Sequence, residues 1–369
     1  MSESKTLSKL ITYLTLSRIF IFVLPLVFRM ILEDNASYAN FYSFLSANLA
    51  SWDAHHYIYL AKNWYATGGD EANYIVFAPL YPLFVRVLGT IFNNYLASAI
   101  VISNLAFIVA GAVFYKLLRI DYSKNFSFNT VFLLSIFPTA YFFSLAYTES
   151  LFLLFVVLTL YFARKDMWLT SGAFSALAIL TRHMGVILVP VILYELYKSK
   201  HQNPFKSLFA ILIPPSISIT IYLLINKYTL GNYFAFSSVL KTHWYKTFSL
   251  PWNGIRKALN TAGGTFGTNS IMTGLVEAVF AITAWVLAVI SFKKIRTSYA
   301  IYTLLGVLIF TSTGFLLSTP RYFLSIPTLF IVINTVLNKN KELYNLWIVI
   351  SIMLMSYFSL LYAAGYWAF

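Results

Sequence analysis

A chain of 369 residues that is 59% apolar and 10% charged lies far from the soluble norm of about 45–50% apolar and about 25% charged, which excludes an ordinary water-soluble domain. It has no cysteine, so disulfides, thiolate metal sites and cysteine nucleophiles are excluded as well. The net charge of +14 would suit nucleic acid in a soluble protein. Here most lysines and arginines sit in short loops between apolar runs, where they set membrane topology, and no nucleic-acid partner is expected.

Apolar runs long enough to cross a bilayer recur along the chain. The first is expected over 10–32; two lysines and no small-residue cleavage site precede and follow its start, so it reads as a retained span and not a signal peptide. A long polar and amphipathic segment follows to about residue 95. Further spans are expected over 96–118, 126–145, 148–163, 168–180, 185–197, 205–225, 271–292, 300–317, 322–337 and 343–363. Several of these roughly eleven segments are short enough to be half-helices or re-entrant. The predicted class is an all-α integral membrane protein forming one domain over 1–369, with amphipathic surface helices in its first outer loop. No repeat at fixed period is present.

The basic residues fall on alternate loops. Lys5 and Lys9, Arg119 and Lys124, Arg164 and Lys165, Lys198, Lys200 and Lys206, Lys293, Lys294 and Arg296, and Lys339 and Lys341 mark the cytoplasmic side. The two long loops, 33–95 and 227–270, are then both extracytoplasmic, and loops of that length usually serve function. Arg182, Arg321, Lys241, Lys246, Arg256 and Lys257 are basic yet lie on the outer side. They suit an anion such as a lipid phosphate, or they snorkel to phospholipid headgroups. Within the spans, charged residues are few apart from Arg18 and Glu277.

The polar interruption at 51–82, SWDAHHYIYLAKNWYATGGDEANYIVFAPLYP, is the richest stretch. Helical spacing puts Trp52, His56, Tyr59 and Asn63 on one face and Asp53, His56, Tyr57 and Leu60 on the next, as in a helix lying along the membrane surface. A carboxylate at that depth is partly desolvated, which raises its pKa and suits Asp53 to take a proton; the alternative is a helix cap or a solvated charge. His55 and His56 project about 100° apart on a helix, unlike the i, i+4 pairs of zinc sites, and no metal or other cofactor is expected. The double-proline turn FAPLYP (77–82), carrying Tyr81, is stiff and either structural or the wall of a lipid groove. YFFSLAYTESL (141–151) places Glu149 at the outer end of a span, a functional position by default or one half of a salt bridge with Arg182 or Arg321. LTRHMG (180–185) and STPRYFLSIP (318–327) each present one arginine at the same depth, flanked by His183 and Tyr322.

SWDAHHYIYLA, FAPLYP, SLAYTESLF, LTRHMGVILVP and PRYFLSIPTLF, in this order, resemble the PIG-V-like mannosyltransferases, polytopic GT-C glycosyltransferases, in their prokaryotic form. The resemblance implies a GT-C fold, a polyprenyl- or dolichyl-phosphate sugar donor, usually mannose, and inverting transfer on the extracytoplasmic face without a nucleotide sugar. Asp53 matches the presumed base of the first outer loop. Arg182 and Arg321 match basic positions near the lipid phosphate, and Glu149 the acidic position of YTES. The chain lacks the aromatic loop that precedes the later spans in eukaryotic members and carries HWYKTFSLPWNGIRKAL (243–259) instead, so the acceptor, a glycan, lipid or protein, is undefined. An anionic leaving group calls for cations and an acceptor hydroxyl calls for a base. Two competing readings use the same groups: a transporter or flippase of a lipid-linked sugar, and a non-catalytic lipid-binding scaffold.

Overall fold

The computed structural model describes residues 3–32, 49–199, 203–264 and 270–369. The expected loop residues 33–48 and 265–269, and Lys200, lie outside the described residues. The chain is α-helical, and among the described residues the one β-type contact is an isolated bridge between Phe248 and Thr313. Helix α1 spans Glu3–Leu32, α2 Asp53–Asn63, α3 Leu80–Phe92, α4 Tyr95–Leu118, α5 Lys124–Ser135, α6 Glu149–Ala163, α7 Trp168–Thr181 and α8 Leu188–Ser199. Then come α9 Pro204–Leu230, α10 Ala235–Thr242, α11 Pro251–Ala262, α12 Glu277–Lys294, α13 Thr297–Thr311, α14 Thr319–Tyr322, α15 Pro327–Leu337 and α16 Lys341–Ala363. Among the described residues five helices are long and apolar enough to cross a membrane, or seven if each of two sharply bent pairs counts as one span. Short apolar helices α6, α7 and α13 complete the bundle.

Helix α6 packs along α4 and α7, and α7 along α9. The α7–α9 contact is close because small residues face it: a Cβ on Gly172 would stand 2.4 Å from the carbonyl oxygen of Ala210. Close backbone approach through small residues is how helices associate without a hydrophobic gradient.

Three expected spans are broken, each for a local reason. The span expected over 126–145 stops at Ser135 and resumes as a 3₁₀ turn, Ala140–Ser144. Pro138 removes a donor there, and Arg18 of α1, buried in the bundle, donates to the carbonyls of Ser135 (2.6 Å) and Ala140 (2.7 Å). The span expected over 300–317 ends at Thr311, where residues 312–314 turn to pair with 247–249 of the outer loop. The segment expected over 322–337 is bent by 95° at Pro327. The first and third breaks meet: Phe137 stacks on Phe323 at 5.3 Å, and Thr139 donates to the carbonyl of Pro320 (2.9 Å).

The helix ends sort by charge. At one end of α6, Arg164 pairs with Asp121 and reaches Tyr299, while Arg296 holds Glu195 through two contacts of 2.7 Å. These residues border the Lys- and Arg-rich loops. Glu149 marks the other end, about 22 Å away at 1.5 Å per residue, and there a second ionic cluster forms.

Candidate active site

Asp53 is the first residue of α2, and Trp52 before it takes φ 55° and ψ −129°. That backbone region is costly for a bulky side chain, so the surroundings must impose it. Two buried tyrosines do so through Ser51. Its carbonyl accepts the hydroxyls of Tyr147 (3.0 Å) and Tyr362 (3.1 Å), and its N–H reaches the Tyr362 oxygen at 3.2 Å. Asp53 is thereby aimed from a clamp that joins the 145–148 turn to the last helix.

Its carboxylate meets Arg321 at 2.9 Å and lies 3.9 Å from Nδ1 of His56. Arg321 extends to Glu149 at 3.4 Å, and the same Glu149 oxygen accepts from Arg182. Asp53, Arg321, Glu149 and Arg182 thus form one alternating chain of two carboxylates and two guanidinium groups. Aromatic rings wall it: Arg321 lies over Phe142 (5.3 Å) and Tyr147 (5.4 Å), and Arg182 over Tyr322 (5.4 Å). The side chain of Glu149 is 1% exposed and that of Asp53 23%. Asp53 is therefore the carboxylate that a substrate can reach, and Glu149 holds the two arginines at one depth. Oε2 of Glu149 and Nε of Arg321 are enclosed without hydrogen bonds, so the cluster has unused capacity.

Arg321 owes its place to Glu277. The chain turns at Ser318 with φ 65°, and the Glu277 carboxylate accepts the N–H groups of Ser318 (2.6 Å) and Thr319 (2.8 Å). Both charged residues noted within the spans, Arg18 and Glu277, are thus spent on backbone groups at breaks that support the site.

The other expected residues divide. Tyr57 is buried against Phe77, Tyr81 and Tyr147 at 5.1, 5.4 and 6.3 Å. Tyr81 is 0% exposed, hydrogen-bonded to Ala99 and Ser103; it braces Tyr57 from the core and does not line the site. The FAPLYP turn reaches the site through Phe77, which stacks on His56 at 5.2 Å. Trp244 and Tyr74 close the same aromatic nest. Burial there pushes the His56 pKa down, with Asp53 pulling the other way, so the ring is neutral near pH 7. His55 is exposed on the other side of α2. No group of three or more metal-ligating side chains forms among the described residues. His183 packs on Tyr222 (4.4 Å) and Phe236 (5.9 Å); burial and the adjacent Arg182 lower its pKa to about 4.

Lys241 stands apart from the ionic chain. It is exposed near the end of α10, and no ion pair or hydrogen bond joins it to the cluster among the described residues. The lysine brought to the site is Lys246. Its Nζ lies 4.4 Å over the Phe315 ring and 3.5 Å from the Phe315 carbonyl. Burial lowers its pKa to about 8, opposed by the charge of Glu277 and assisted by that of Arg321. Tyr147, Tyr362, Lys246 and Glu277 were thus missed as site residues. Tyr147 lies inside the YTES block and Lys246 in the outer basic set, so both had a signal; Tyr362, one aromatic of an apolar helix end, had none.

A model of the dolichyl-phosphate-mannose-protein mannosyltransferase family matches residues 77–225, a stretch that carries Glu149 and Arg182. The apo oligosaccharyltransferase of Archaeoglobus fulgidus aligns with 96% of this chain and 56% of its own, at 12% identity and a TM-score of 0.50. The archaeal oligosaccharyltransferase AglB of the same organism, in complex with an inhibitory peptide and a dolichol-phosphate, aligns over 95% of this chain and 56% of its own, at 13% identity and a TM-score of 0.47. The chain spans about half the length of these structures. No curated protein matches the chain. The fold is a polytopic, all-α fold like that of the apo oligosaccharyltransferase.

Proposed function

We propose that this chain is a membrane glycosyltransferase that moves a sugar, mannose in the first instance, from a polyprenyl- or dolichyl-phosphate donor to a hydroxyl of a glycan, lipid or protein. The reading rests chiefly on one observation: Asp53, the exposed carboxylate of the ionic chain, stands 2.9 Å from Arg321. The family match adds support, since that family is one of dolichyl-phosphate-mannose-protein mannosyltransferases. Asp53 takes the acceptor proton as the hydroxyl oxygen attacks the anomeric carbon. The bond from that carbon to the phosphate oxygen breaks on the opposite face, giving inversion, and its electron pair leaves on the phosphate. As Asp53 is neutralised, Arg321 loses one of its two ionic partners and keeps only Glu149, so more of its charge is available to the departing phosphate. Arg182 and Lys246 complete the cationic side, which needs no proton donor because the leaving group is already an anion. The loops 33–95 and 227–270 supply Asp53 and Lys246, and the reaction is placed on the extracytoplasmic face of the cell membrane.

The transporter reading has less support, because Arg18 and Glu277, the charges within the spans, are committed to the fold's own backbone. The test is a transfer assay on the purified protein in nanodiscs, with polyprenyl-phosphate-mannose and the matching glucose lipid as donors. Mass spectrometry follows the sugar into added acceptors and water. Asp53→Asn should lower turnover at least about 100-fold, the range of general-base loss. Turnover near that of the wild type would overturn Asp53 as base, and absence of sugar release from either donor would overturn the reaction.

A further inference from the structure

We infer that Trp52 and Trp367 form a stacking platform for a pyranose ring of the acceptor, so that the group glycosylated by this site is borne on, or lies beside, a sugar. This rests on the transferase reading above. Trp52 is 41% exposed and directly precedes Asp53 at the start of α2. Its ring meets Trp367 edge to face, with centroids 5.0 Å apart and an interplanar angle of 86°. Both residues are held through their chain neighbours. Trp52 is fixed by the Ser51 clamp, in a backbone conformation that a tryptophan does not adopt freely. Trp367 is fixed by its neighbours: the carbonyl of Ala368 accepts from Tyr141, and Phe369 packs on Phe358 at 5.0 Å.

Charge distinguishes this aromatic pair from the aromatic nest around His56. The nest holds His56, Phe77 and Trp244, and Trp244 lies two residues before Lys246, the loop cation suited to the donor phosphate. No cation stands over Trp52 or Trp367 among the described cation–π contacts. An uncharged aromatic pair beside a base suits a ligand with an apolar face and hydroxyl edges. The C–H face of a pyranose is such a surface, and it meets the negative face of an indole favourably.

The test uses the full-length protein in nanodiscs and three probes: methyl α-D-mannoside, methyl β-D-glucoside and methyl β-D-galactoside. Saturation-transfer NMR gives their affinities and identifies the contacting protons. At least one hexoside should bind saturably, with Kd on the order of millimolar and strongest transfer to ring C–H protons. Trp52→Ala should raise Kd about tenfold and Trp52→Leu about as much, because leucine restores bulk without a π face, whereas Trp52→Phe should stay within about threefold. Trp367→Phe should likewise hold. Saturating polyprenyl phosphate should not displace the hexoside. No saturable binding of any probe, equal affinity in Trp52→Leu and the wild type, or displacement by polyprenyl phosphate would each overturn the platform. The transfer assay separates the two claims. Hexoside binding through Trp52 without sugar release from any lipid-phosphate donor keeps the platform and rejects the donor. Transfer with binding indifferent to Trp52 does the reverse.

Discussion

Glu149 faces two guanidinium groups at 1% exposure while Asp53 shares one of them at 23%, and that difference separates a supporting carboxylate from a reacting one. Removing one partner of a buried ion pair leaves the other charge uncompensated, at a cost of about 3–5 kcal/mol. Glu149→Gln is therefore expected to cost about 3 kcal/mol or more in unfolding free energy, read by thermal melting in nanodiscs. Asp53→Asn, more exposed and better screened, is expected to cost about 1 kcal/mol while losing transfer. Equal destabilisation by the two would contradict the division of roles. Lys246 adds a pH signature. Its pKa is lowered from 10.5 to about 8, so the ammonium is present below pH 8 and lost above it. Apparent donor affinity should accordingly hold below pH 8 and weaken as pH rises through it. Lys246→Arg should abolish that limb, since a guanidinium remains charged. The same group acts oppositely on stability: the unfolded chain holds the proton more tightly, so its contribution rises with pH between about 8 and 10.5.

At the scale of elements, the site stands on broken helices. The turn into α14 carries Ser318 at φ 65° and is tied to α12 by both oxygens of Glu277. Glu277→Gln keeps one acceptor oxygen and leaves one enclosed N–H unmet, a loss of about 1–3 kcal/mol. Transfer should fall with it, since Arg321 lies three residues beyond the turn. Ser318→Gly removes the strain of a left-handed residue and should change stability by no more than about 1 kcal/mol, with transfer retained. Melting curves and the transfer assay on the pair check this; loss of transfer in Ser318→Gly would show that the serine itself is needed. These breaks also mark the limit of what the residues disclose before folding. Hydropathy reports how apolar a segment is, so 126–145 and 322–337 read as single spans. The breaks fall at Pro138 and Pro327, and the backbone beside them is held by a distant partner, Arg18 on Ser135 and Ala140 in one case and Glu277 on Ser318 and Thr319 in the other, each more than 40 residues away in sequence. Asp53, Glu149, Arg182 and Arg321 were legible because charge at a span end is rare. The tyrosine clamp was not, since Tyr362 in an apolar helix looks like any aromatic facing lipid.

Across the whole molecule, α6 separates two ionic layers. Glu149, Arg182, Arg321 and Asp53 gather at one end; Asp121, Arg164, Glu195 and Arg296 gather at the other, beside Lys124, Lys165 and Lys294. Excess Lys and Arg on short loops favours the cytoplasm, and on that rule we propose that the Asp53 end lies outside. Native cysteine is absent, so single introduced cysteines report orientation without background. Lys241→Cys and Lys257→Cys, exposed in the loop between α9 and α12, should react with a membrane-impermeant maleimide on intact cells. Lys165→Cys and Lys294→Cys, equally exposed at the opposite end, should react only after permeabilisation. The reverse pattern would put Asp53 in the cytoplasm, where soluble nucleotide sugars are available and a membrane-anchored phosphate donor offers no advantage. The labelling result therefore bears on the donor as well as on the topology: a site that opens away from the nucleotide pool must take its sugar from a carrier that has already crossed the bilayer.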